Sequence, residues 1–248
     1  MNNVHRLDVD GLRGVAVLGV VLFHLRKSLL PGGFVGVDVF FVLSGYLMTI
    51  QVQKGNFSFL EFYAARIRRI FPAKMLTLFV VLGISWWIFQ GDAVSRVAKS
   101  SLASVLFMSN FYQAFVVDDG YFAPKTSLEP LTHMWSLSTE EQFYLLWPLC
   151  ARFLFPLTGK SLLLCCIICA FASLVVSHTM VMISSSPAYY LLLGRIPQML
   201  VGCISAIVKE SGSSARIPLR NLCAFFCLCV IVGCMKFFSE DLPYPGFL

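Results

Sequence analysis

Charge is what this sequence has least of: Asp, Glu, Lys and Arg make up 13% of its 248 residues against 58% hydrophobic residues, and its mean hydropathy is +0.78. So few polar side chains exclude a soluble fold, and the question becomes how the chain crosses a bilayer. Low-complexity segments, internal repeats and any separate soluble domain are also lacking, so residues 1–248 read as one membrane domain. No second polar ligand pair accompanies Cys166-x-x-Cys169, and all nine cysteines lie in or beside apolar runs, which assigns them to packing and leaves no metal expected. The N-terminal apolar run shows no small-residue cleavage pattern and contains His24, so it reads as an anchor. The net charge of +6 lies in short cationic clusters between apolar runs, which fits juxtamembrane anchoring, and no nucleic-acid partner is expected.

What is there is a series of apolar segments. Seven come near the roughly 20 residues a spanning helix needs: 11–30, 33–52, 73–90, 135–155, 161–183, 189–208 and 219–238. An eighth, 100–117, carries Ser100, Ser101, Ser104, Ser109, Asn110 and Gln113, polar groups that survive at membrane depth only against protein or a wet cavity. With a cytoplasmic N-terminus, a full crossing of 100–117 leaves nine cations on each side, whereas a re-entrant segment puts twelve inside against six outside. The expected architecture is therefore an all-α, polytopic helical bundle of about seven spanning helices, with 100–117 re-entrant. Between the second and third spans, Ser58-x-x-Glu61 has the form of a capping box opening a short helix that stops before Pro72 and places Arg66, Arg68 and Arg69 at the cytoplasmic surface.

Four groups of residues carry chemistry. Arg13 and His24 are eleven positions apart, almost three helical turns, so they share one face of the first helix about 16 Å apart in height. Ionisable residues at membrane depth are functional by default, and His is suited to take a proton from a hydroxyl near neutral pH; the bland reading is a histidine hydrogen-bonded between helices. Asp38, the one charge in Gly32 to Tyr46, has two readings, orienting His24 or pairing with Arg26 or Lys27. Ser44 is not in a Gly-x-Ser-x-Gly elbow, which argues against a covalent role.

Arg66 and Arg69, three apart on one helix, suit the phosphates of a nucleotide-bearing donor, although cytoplasmic arginines also serve to set topology and touch anionic lipid. Glu140 and Glu141 lead into an apolar helix within Pro130 to Tyr144. In the favoured topology they lie on the same outer side as His24, where a carboxylate could sharpen a general base; pairing with lysines is the alternative.

These blocks resemble the membrane acyltransferase type 3 family. Gly11-Leu12-Arg13-Gly14 followed by His24 resembles its Arg-x10-His signature, Gly32 to Tyr46 its Gly-Gly-Phe-x-Gly-Val-Asp block, and Phe62 to Pro72 its Arg-Arg-Ile-x-Pro block. Asn110, Gly120-Tyr121-Phe122 and the Trp135-Ser-Leu-x-x-Glu-x-Gln-Phe-Tyr144 run follow in family order.

The resemblance implies O-acylation of surface polysaccharides or related acceptors in a bacterial inner membrane. Its donor would be an acyl-CoA, acetyl-CoA above all, bound from the cytoplasm. Arg13, Arg66 and Arg69 fall on donor-side motif positions, and His24, Asp38, Glu140 and Glu141 on the catalytic ones. Two departures stand out. Arg195-Ile-Pro-Gln198 replaces an Arg-x-x-Glu pair, so that carboxylate is absent or supplied elsewhere, and family members continue for several helices beyond a point like Leu248, so an inactive truncated member is one alternative. A transporter or flippase for a sugar-linked substrate is the other. It would more often show inverted halves with broken helices, and no such symmetry is visible.

Overall fold

The computed structural model describes residues 6–54, 57–117, 129–154, 159–210 and 217–239; the Gly120-Tyr121-Phe122 block lies outside them. Ten α-helices and no strand occur among the described residues: α1 Leu7–Leu25, α2 Gly36–Gln53, α3 Phe59–Ile88, α4 Asp92–Val105, α5 Ser109–Tyr112, α6 Met134–Leu154, α7 Gly159–Ile183, α8 Ser185–Tyr190, α9 Leu192–Glu210 and α10 Ile217–Phe237. Four stretches are long and apolar enough to cross a membrane: Gly33–Gln53, Phe59–Ile88, Ser161–Ile183 and Ser185–Lys209. Expected spans α1 and α6 carry charges that lower their hydropathy, Asp8, Asp10 and Arg13 in one and Glu140 and Glu141 in the other. Large side chains point outward along these helices, among them Trp87 (91% exposed) and Ile183 (86%), as expected where lipid and not water is the solvent.

Two helix crossings set the frame. A Cβ on Gly45 of α2 would stand 1.9 Å from the Met199 carbonyl of α9, and one on Gly202 of α9 the same distance from the Val42 carbonyl of α2, so only glycine permits this backbone-on-backbone contact. At Gly36 a Cβ would lie 2.5 Å from the Ala16 carbonyl, which brings α1 against α2 just below His24. α10 closes on the turn between them, where the Gly32 N–H donates to the Met235 carbonyl at 2.9 Å. An aromatic core of Trp135, Phe143, Tyr144, Trp147, Tyr189 and Tyr190 joins α6 to α8.

One expectation is corrected, the helix that was to stop before Pro72. The Ser58 side chain does cap, accepting the Glu61 N–H at 3.4 Å, but α3 runs straight through Pro72 to Ile88. One missing N–H is a smaller loss at membrane depth than the several bare backbone groups a break would expose. Residues 100–117 form no single helix: α4 is 14 residues, about 21 Å and too short to span alone, and the chain turns at Phe107 with φ 55° before α5. Gln142 of α6 holds that turn, donating to the Phe107 carbonyl at 3.0 Å and exchanging hydrogen bonds with the Asn110 amide at 2.9 and 3.0 Å.

Candidate active site

At one end of the bundle a cavity of about 610 Å³ opens between α1, α2, α3, α6 and α9. Its wall holds the three expected arginines, Arg13, Arg66 and Arg69, together with Arg6, Lys54 and Lys209, and no carboxylate lines it among the described residues. Arg6 donates to the Tyr46 hydroxyl at 2.8 Å and Lys209 to the same oxygen at 3.0 Å, which fixes two of these cations to α2. Asp8, and then Tyr46, push the Arg6 guanidinium further toward its charged form. Arg6, Lys54 and Lys209 escape a reading of the sequence as site residues because they lie far apart along the chain; their signal is only the positive bias of one membrane face.

Arg66 leads from this cavity into the bundle. Its Nε donates to Glu141 Oε1 at 2.5 Å, its Nη2 lies 3.8 Å from Glu140 Oε2, and its guanidinium carbon stands 3.8 Å over the Tyr144 ring. Glu140 in turn accepts from the Tyr144 hydroxyl at 2.6 Å and from the Ser44 hydroxyl, both on Oε1. The two carboxylates are thus gathered on Arg66 and on two hydroxyls. Ser44 enters as a donor to Glu140 and not as a nucleophile on an elbow.

His24 lies at the far end of α1. Its Nδ1 stands 2.8 Å from the Val20 carbonyl, which can only accept, so Nδ1 carries a proton and donates it there, which fixes the ring's orientation on α1. The ring that meets it edge to face, 4.6 Å between centroids, is that of His133, the residue just before α6. Glu140 follows His133 by seven residues, about 10 Å along α6, so the structure places Glu140 and Glu141 at Arg66 and His133 at His24. Partial desolvation against the surrounding protein, and then the neighbouring His24, hold the His133 imidazole below its ordinary value, although the residue keeps an exposed edge.

Asp38 makes its ion pair with Arg195 of α9, 3.2 Å from Nη1, a partner outside the two expected readings. Arg195 is fully buried, donates through Nε to the Tyr189 carbonyl at 2.7 Å and stacks over the Tyr189 and Trp135 rings at 4.3 and 5.2 Å. Arg195 of the Arg195-Ile-Pro-Gln198 run thus has a carboxylate partner on α2. No cluster of three or more His, Cys, Asp or Glu able to hold a metal ion occurs among the described residues.

The described residues form a helical membrane bundle with a cationic cavity at one end of α1 and a histidine pair at the other, and comparison with known proteins specifies the class. Residues 6–244 match the family described as Acyltransferase domain, and the chain belongs to it. It is thus a member of a transferase family and an integral membrane protein. "Putative peptidoglycan O-acetyltransferase YrhL" of Bacillus subtilis is 34% identical over a 258-residue alignment covering 95% of this chain and 39% of that protein. "O-acetyltransferase OatA" of Staphylococcus aureus is 34% identical over 209 residues, 81% of this chain and 34% of that protein. The chain spans about two fifths or less of the length of these relatives. No solved structure matches it.

Proposed function

We propose that this chain is a membrane O-acyltransferase that moves an acyl group, acetyl in the first instance, from an acyl-CoA to a hydroxyl of a cell-surface carbohydrate such as peptidoglycan. The observation that carries the reading is the cavity whose described wall has six cationic side chains and no carboxylate, set one helix length from a histidine held by the Val20 carbonyl through Nδ1. A nucleotide-bearing thioester has several phosphates to satisfy such a wall, and Arg66 and Arg69 offer the planar fork that fits them. Its long arm would carry the thioester past Arg13 toward His24.

There His24 Nε2 takes the proton of the acceptor hydroxyl as the oxygen attacks the thioester carbonyl. The C–O bond forms, the C–S bond breaks, and the thiolate leaves and recovers the proton. The carboxylates act on the donor side in this scheme, Glu140 and Glu141 holding Arg66 in place, while Asp38 fixes Arg195 beneath the Trp135 that begins α6. The reading places the N-terminus and the cationic cavity on the cytoplasmic side of a bacterial inner membrane. It also keeps α1, α6 and α10 as spans, seven in all, with α4 and α5 forming the re-entrant segment.

The roles separate in a binding experiment. In a titration of acetyl-CoA onto the detergent-solubilised chain, Arg69→Ala removes a charge-assisted hydrogen bond to phosphate, so its affinity is expected to fall by about tenfold or more. The affinity of His24→Ala is expected to stay within about twofold of wild type, because the base does not touch the phosphates. Equal affinities in wild type and Arg69→Ala would remove the donor site from this cavity.

A further inference from the structure

Next to the cationic cavity lies a second one of about 300 Å³, between α1, α2 and α6. Val17, Val20, Val37, Phe40 and Leu137 are among the apolar side chains that line it, and Glu140 is the one charged residue among the described residues of its wall. The two cavities meet at a single hydrogen-bonded knot: Tyr144 lines the cationic one, Glu140 lines the apolar one, and the Tyr144 hydroxyl donates to Glu140 at 2.6 Å. The apolar cavity also reaches the turn of α1 that orients the base, since Val20 lines it and the Val20 carbonyl accepts from His24. It therefore lies on the line from the phosphate-binding wall to the histidine.

We propose that this cavity receives the acyl group of the donor and that Phe40 and Val17, facing it from α2 and α1, set the longest acyl chain the protein accepts. The inference rests on the acyltransferase reading and adds the site that measures the group transferred. Apolar walls suit a hydrocarbon chain and discriminate by size, where one misfit methylene is worth roughly tenfold or more in rate. A volume at the lower limit of ordinary ligand pockets, roughly 300 Å³, fits a short acyl group and rejects a long one. A bilayer lipid tail needs neither a carboxylate at the inner end nor continuity with a phosphate-binding wall, and both are present.

The test compares acetyl-, butyryl- and hexanoyl-CoA as donors for the full chain in membranes, as wild type, Phe40→Ala and Val17→Trp. Neither substituted residue takes part in phosphate binding or proton transfer, and Phe40→Ala only widens a space that already admits an acetyl group, so acetyl transfer is expected to persist in that variant. The ratio of butyryl to acetyl transfer should rise at least tenfold in Phe40→Ala and fall in Val17→Trp. A ratio unchanged within twofold in both variants, with acetyl transfer intact, would overturn the acyl site and leave the acyltransferase reading standing.

If wild-type membranes transfer no acyl group at all, a butyryl-CoA bearing a terminal diazirine decides the site without turnover. Crosslinks at Phe40, Phe41 or Leu137 that unlabelled acetyl-CoA competes away support the cavity. Crosslinks confined to the cationic cavity overturn it, crosslinks that CoA does not compete identify a lipid-tail groove and also overturn it, and absence of any crosslink removes the donor reading and the acyl site together.

Discussion

Asp38 and Arg195, 157 residues apart in sequence, form an ion pair of 3.2 Å that ties the first turn of α2 to the first turn of α9. Their side chains are 16% and 1% exposed, so each charge depends on its partner and not on solvent. Removing one charge takes this buried partner from the other, at a cost of up to about 3–5 kcal/mol, whereas removing both costs less. Asp38→Asn is expected to lower the unfolding temperature in detergent markedly, and Asp38→Asn combined with Arg195→Gln to recover part of the loss. A double variant no better than Asp38→Asn alone would show that the two charges are not coupled.

The glycine contact beside that pair gives a second prediction. Gly45→Val places carbon where the Met199 carbonyl now lies, 1.9 Å from the added Cβ, and α2 must separate from α9. Overpacking of this kind costs about 1–3 kcal/mol when the backbone can yield, and more when it cannot. The variant is expected to insert poorly, whereas Gly83→Val, where no described atom lies within 4 Å of the added carbon, is expected to behave as wild type by size-exclusion profile in detergent.

The break at Phe107 gives a third. Asn110 is fully buried, and Asn110→Leu removes its exchange with Gln142 and leaves that amide with unmet groups, a loss of about 1–3 kcal/mol. Faster hydrogen exchange is expected across α4 and α5, with α7 and α9 unchanged. Uniform protection in variant and wild type would show that the turn is held by other contacts.

Much of this is legible in the sequence because single charges in an apolar chain stand out. Arg13, Arg66 and Arg69 are singled out by the motifs, and all three line one cavity. Ser58 reads as a cap, and it accepts the Glu61 N–H. Partners are less legible than positions. Asp38, Arg195, Glu140 and Arg66 are each visible as a charge to be satisfied, but which charge meets which depends on helix order in space, and neither periodicity nor motif spacing encodes that order. His133 is hidden differently: it sits in a loop before an apolar helix, where one more polar residue is ordinary. The continuous α3 is misread because a proline acts as a stop in water, while a bilayer penalises the stop more than the proline.

His133 supplies the pH prediction. Its imidazole is held below the ordinary value of 6.5 in the folded chain, so the unfolded chain binds more protons as pH falls from that value toward the folded one, and stability is lost across that window. Thermal unfolding followed from neutral to mildly acidic pH is expected to show a smaller drop in His133→Gln than in wild type. Parallel curves would show that His133 binds its proton alike in the folded and unfolded chain.

The central claim is that His24 is the base of an acyl transfer fed from the cationic cavity. Its most direct test is transfer of radiolabel from acetyl-CoA to cell-envelope polysaccharide, by membranes carrying equal amounts of inserted wild type, His24→Ala and Arg69→Ala beside an empty-vector control. Label that depends on the wild-type chain, disappears in His24→Ala at every donor concentration and returns in Arg69→Ala as acetyl-CoA is raised is the predicted result. Transfer by His24→Ala at the wild-type rate would contradict the account.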